Sequence, residues 1–182
     1  MQQLLALHAL GHIDLRFGDE TNFSMTPNVP YGWLKKGQQT GIPSDPKRVL
    51  NVFSLMNLGQ QLCSYPTAKT INADFIIKCL DDFVQTIKRP TVLVLDNAGW
   101  HTAGAVRQKT CQWQEQGLFI WHLPTYSPHL NPIEILWRKI KYEWLKPKDY
   151  QSDKHLKDAV FNILTSLGTS FVINFSMNLL SK

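Results

Sequence analysis

The 182-residue chain is poor in several features that would direct a reading elsewhere. It has three cysteines, Cys63, Cys79 and Cys111, widely spaced and without a Cys-x-x-Cys pair to suggest zinc binding or redox work. Three unpaired thiols suit a reducing compartment, and the expected location is the cytoplasm, in association with the nucleoid. No apolar run approaches a membrane span. The opening segment, Met1 to His8, lacks the basic flank and small-residue cleavage site of a secretory signal. There is no internal repeat, low-complexity tract or linker. Acidic residues are outnumbered, 14 against 19 Lys and Arg, for a formal charge of +5. That balance favours a polyanionic partner.

What remains describes one globular domain over 1–182, with 43% hydrophobic and 18% charged residues. Ile13, Leu15 and Phe17 alternate with polar residues and predict a strand ending at Asp19. Residues 22–39 read as a loop containing Pro27, Pro30, Gly32 and Gly37. Val49 to Leu58 and Gln60 to Tyr65 predict a β-hairpin. Ala73, Ile76, Ile77, Leu80, Phe83, Val84 and Ile87 recur at helical spacing, with Asn72 as N-cap. Thr91 to Leu95 is a continuous apolar run, the pattern of a strand buried on both faces. A weaker helix over Ala103 to Gln114 precedes a strand at Leu118 to Leu123. Ile133, Leu136, Trp137, Ile140 and Trp144 stripe a helix from Pro132 to Leu145, and a last helix begins near Ser152. Residues 168–182 receive no assignment. Strands joined through helices predict a mixed sheet covered on both faces, with a crevice at its carboxyl end.

Three carboxylates stand out. Asp96 ends an apolar strand, Glu134 enters the first turn of a helix, and Asp19 closes the first strand. Oxygen donors of this kind, gathered from separate elements, suit Mg²⁺ and phosphodiester chemistry. Each has a plainer explanation. Asp19 fits an exposed strand end. Asp96-Asn97 fits a turn in which the side chains bond their own backbone. Asn131-Pro-Ile-Glu134 has the form of a helix N-cap, with Glu134 reaching back to a backbone N–H. Asn97, His101 and Asn131 are accessory candidates. Lys35, Lys36, Arg138, Lys139 and Lys141 form a candidate DNA track, extended by Lys47, Arg48, Lys146 and Lys148. A solvated surface is the competing reading for each of them. Trp100 and Trp113 suit base stacking or the core.

The motifs Asp-Asn-Ala-x-x-His at 96–101 and Leu-Pro-x-Tyr-Ser-Pro-x-Leu-Asn-Pro-Ile-Glu-x-x-Trp at 123–137 resemble the catalytic domain of DDE transposases, in the mariner-like bacterial insertion-sequence group. Asp-Glu-x-x-Phe at 19–23, followed by Pro27, Trp33, Lys36 and Gly37, resembles the first catalytic block of that family. The resemblance covers about residues 12–165. It implies an α/β, RNase H-like fold: a five-stranded mixed sheet of order 3-2-1-4-5 flanked by helices. It implies Asp19, Asp96 and Glu134 as a metal-binding triad using Mg²⁺, with Mn²⁺ as substitute, for strand cleavage at transposon ends and transfer into target DNA. The implied partners are those DNAs and either a second copy or a chain carrying the helix-turn-helix modules usual in the family. The first strand begins about a dozen residues from Met1, which leaves no room for such modules. Two alternatives stay open: an impaired remnant acting as a DNA-binding or oligomerisation module, and a different metal nuclease on the same fold. Asp14, Arg16 and Gly18 fit poorly in a central strand, where an unsatisfied buried polar group costs about 1–3 kcal/mol.

Overall fold

The computed structural model describes residues 1–28, 35–37, 45–96, 104–124, 127 and 130–175. In chain order the elements are α1 (Gln2–Ala9), β1 (Asp14–Ser24), β2 (Arg48–Asn57), β3 (Leu62–Thr67), α2 (Ala73–Val84), β4 (Thr91–Leu95), α3 (Gly104–Glu115) and β5 (Leu118–His122). After them come α4 (Ile133–Lys139), a π-helical turn (Ile140–Trp144), a 3-10 turn (Pro147–Tyr150) and α5 (Asp153–Thr165). The five strands form one sheet in the order β3-β2-β1-β4-β5. The first three are antiparallel, and β4 and β5 run parallel to β1. This is the RNase H-like arrangement that the resemblance implies.

The sheet is covered on both faces, and side-chain alternation decides which residue serves which face. Leu15 and Phe17 of β1 and Val94 of β4 pack with Ile133, Leu136, Trp137 and Ile140 and with Leu156, Val160 and Ile163 of α5. On the other face Leu55, Leu93, Leu95 and Leu118 meet Ile76, Leu80 and Phe83 of α2 and Val106 and Trp113 of α3. Trp113 is therefore a core residue, fully buried, and its Nε1–H is satisfied by Asp81 Oδ1 at 2.8 Å. The stacking role open to it in the sequence is corrected.

Strand β1 runs to Ser24, five residues beyond the end expected at Asp19, because β2 pairs with it from Asn57↔Arg16 to Asn51↔Asn22 and on to Leu50↔Phe23. Asp14 and Arg16, the polar residues at its start, are paired. Arg16 Nε donates to Asp14 Oδ2 at 2.7 Å, and Arg16 Nη1 donates to the Gln61 carbonyl at 3.1 Å. The guanidinium also lies 5.7 Å over the Phe83 ring. Gly18 is required by packing: a Cβ there would stand 2.6 Å from Leu95 Cδ2 and 3.0 Å from Leu55 Cδ2. In the unassigned tail, turns at 168–170 lead into a bridge between Leu167 and Phe171. Gln60 anchors the tail through a pair of bonds with Ile173, Oε1 accepting from the backbone N–H at 2.7 Å and Nε2 donating to the carbonyl at 3.1 Å. Among the described residues no helix is long and apolar enough to cross a membrane.

Candidate active site

The site follows from the β1–β4 register. The pairs Asp14↔Thr91 through Phe17↔Val94 keep one offset, and the same offset carried two residues further brings Asp19 level with Asp96. Adjacent strands lie about 4.8 Å apart, and alternate residues share a face. By that register both fall on the face of Phe17 and Val94, close enough for the Asp96 charge to act on Asp19. Helix α4 packs over that same face and carries Glu134 in its first turn.

Two hydrogen bonds fix α4 on β1. Trp137 Nε1 donates to Asp19 Oδ2 at 2.9 Å, and Asn131 Nδ2 donates to the Gly18 carbonyl at 3.1 Å. The second bond corrects the capping reading. The helix begins after Pro132 without a side-chain cap, and Asn131, 4% exposed, spends its amide on β1 instead. Its Oδ1 is buried without a hydrogen-bond partner among the described residues. Glu134 does not form a capping box; it lies at the solvent side of the cluster.

The charges are strained in a consistent direction. Burial pushes the Asp19 carboxyl up to about 8, reinforced by the nearby charges of Glu134, Glu20 and Asp96. Glu134 is also raised, first by desolvation of its inner side and then by Asp96, against the pull of Lys141 and a hydrogen bond with Asp19. Desolvation lowers Lys141, while Glu134 and Asp19 favour its charged form. Its Nζ rests 5.7 Å over the Phe23 ring. Lys141 is thus coupled electrostatically to Glu134 and Asp19.

Arg138, Lys35 and Lys36 are exposed, and Lys139 pairs with Glu143 at 2.5 Å. Lys47 pairs with Asp153 at 3.0 Å. Asn97, His101 and Trp100 fall outside the described residues. Sequence reading gave Glu20 no role of its own, although it stands in the Asp-Glu-x-x-Phe motif, and it did not foresee the Trp137 bond, which has no local signature. A cleft of about 360 Å³ beside His8, Asp14, Arg16 and Arg89 lies at the amino ends of β1 and β4, away from the carboxylates.

Among the described residues no three acidic, imidazole or thiol groups are gathered tightly enough to hold one ion. The donor chemistry nevertheless fits a hard divalent cation: Asp19, Asp96 and Glu134 offer oxygen only. Burial first, and then repulsion from neighbouring carboxylates, raises Asp19, and added positive charge would relieve that repulsion.

Comparison with known proteins decides the family. A model described as DDE superfamily endonuclease matches residues 14–157. The chain belongs to the DDE superfamily endonuclease family. Among solved structures, the Mos1 strand transfer complex aligns at TM-score 0.59 and 18% identity, over 91% of this chain and 51% of that one. The Mos1 mariner paired end complex with Mn aligns at 0.60 and 19%, over 91% and 52%. The HTLV-2 integrase catalytic core domain in complex with magnesium (dimeric form) aligns at 0.54 and 12%, over 90% and 91%. At these identities the likeness is one of fold. A curated relative, the uncharacterized protein y4pE/y4sA of Sinorhizobium fredii (strain NBRC 101917 / NGR234), is 36% identical over 62 residues, 32% of this chain and 42% of that protein. This DDE-family chain thus spans about half the length of the Mos1 chains and less than half of the curated relative.

Proposed function

We propose that the chain is a transposase catalytic domain that cleaves DNA at transposon ends and transfers the freed strand to target DNA. One observation supports this reading: the β1–β4 register, carried two residues past its last pair at Phe17↔Val94, sets Asp19 level with Asp96, and α4, packed on that face, carries Glu134 in its first turn. The family match and the Mos1 and integrase folds support it. Mg²⁺, or Mn²⁺ in its place, would be held by Asp19, Asp96 and Glu134. When bound, such a cation supplies Lewis-acid polarisation of the phosphate and a more acidic attacking water.

The chain's own groups do the rest. Trp137 holds one Asp19 oxygen and so restrains the rotamer of that carboxylate. Asn131 ties the α4 entry to Gly18, so that Glu134 and Asp19 move as one body. Lys141 lowers the negative potential that a phosphate must cross. DNA and a second copy, or a chain carrying end-recognition modules, are the partners in this reading. Without such modules binding is salt-sensitive and largely sequence-independent.

The test mixes the chain with precleaved DNA ends and Mn²⁺ beside its Asp96→Asn variant. Strand-transfer products from the parent alone support the proposal. DNA binding without products from either protein favours a catalytically impaired remnant.

A further inference from the structure

Strand β5 leaves two large aromatic side chains bare. Leu118 and Ile120 turn into the core under α2 and α3. Phe119 and Trp121 alternate to the other face and are 42% and 49% exposed. That is the face of the carboxylates, because Phe119 pairs with Val92 and Trp121 with Val94, and Val94 shares its face with Asp96. Trp121 thus lies one strand across and one pleat repeat back from Asp96, about 4.8 Å and about 6.7 Å at the backbone. The end of β5 reaches the site itself: His122 Nδ1 is 3.3 Å from the Asp96 carbonyl.

Two sides of the carboxylate cluster therefore differ. On the α4 side stands Lys141, a cation beside Glu134 and Asp19. On the β5 side lies an aromatic shelf. A chain of phosphates and bases with one phosphate at the carboxylates meets a charge on one flank and a stacking surface on the other. Aromatic faces bind bases with little regard to sequence, and only an unpaired base offers its face. A protein partner fits less well, since a stable interface takes about 800 Å² from each side and this strand offers two side chains.

We propose that Trp121, backed by Phe119, is a stacking site for an unpaired base of the DNA strand held at the carboxylates. The proposal rests on the reading of that site as a DNA-processing one. It names a substrate feature, a single-stranded flank next to the reacting phosphate.

The test measures binding in Mg²⁺ at fixed salt for three labelled DNAs: a duplex with a single-stranded flank, the same with abasic positions in the flank, and a fully paired duplex of equal length. The parent binds the flanked duplex more tightly than the other two. Trp121→Ala loses that preference by roughly tenfold or more, and Trp121→Phe keeps most of it. An unchanged melting temperature shows that Trp121→Ala is folded. If Trp121→Ala keeps the parent's preference, or weakens all three DNAs equally, the stacking site is overturned. It is overturned too if sedimentation shows that the variant splits a dimer while DNA affinity stays the same. The readout requires no catalysis, so a parent that prefers the flank but makes no strand-transfer products contradicts the enzymatic reading alone.

Discussion

Asp19 carries the highest electrostatic cost in the site, and its sign can be worked out. Its ordinary value is 3.8, and in the fold it rises to about 8. Below about pH 4 the folded and unfolded chains both keep this proton. Between about 4 and about 8 the unfolded chain releases it and the folded chain retains it, so metal-free stability falls as pH rises through that window. Asp19→Asn should flatten this slope and raise the melting temperature at pH 8 in chelator, because Asn still accepts from Trp137. The same proton competes with a cation, so Mn²⁺ affinity of the parent should climb between about pH 6 and 8. Gly18 makes a second prediction at this scale. A Cβ there would meet Leu95 at 2.6 Å, so Gly18→Ala should cost about 1–3 kcal/mol in urea unfolding and disturb the adjacent Asp19. Sequence alone marked Gly18 as an oddity of a central strand; its reason is visible only when Leu55, Leu93 and Leu95 arrive from two other strands.

At the level of elements, periodicity was informative wherever local chemistry and packing agree. Thr91–Leu95 forms the strand its apolar run predicts, and α2 begins after Asn72, whose Oδ1 accepts from the Phe75 N–H at 2.9 Å. Asn72→Ala should cost about 1 kcal/mol by chemical denaturation and leave DNA cleavage unaltered, since α2 lies under the far face. Where the reading failed, distant partners decide. β1 extends past Asp19 because β2 supplies partners up to Ser24. The helix predicted over 132–145 breaks at Lys139 into a π-helical turn that keeps Ile140 buried and Lys141 beside the carboxylates. Asn131 reads locally as a cap, yet its amide bonds a carbonyl more than a hundred residues away in the chain. Asp19, Asp96 and Glu134 were legible as candidates through their motifs, but their common face follows from the parallel register of β1 and β4.

For the molecule as a whole, an RNase H-like sheet sets acidic residues of β1, of the segment just after β4 and of α4 on one face, and it leaves β5 aromatics half-exposed on that face. The account's central claim is that these carboxylates jointly hold a divalent cation. Calorimetric titration of Mn²⁺ into the parent and Glu134→Gln near pH 8 tests it most directly. We predict saturable binding by the parent and loss of at least tenfold in affinity for Glu134→Gln, with a melting temperature in chelator no lower than the parent's, since the variant removes a charge that repels Asp19. Equal Mn²⁺ affinity for the two proteins would contradict the account.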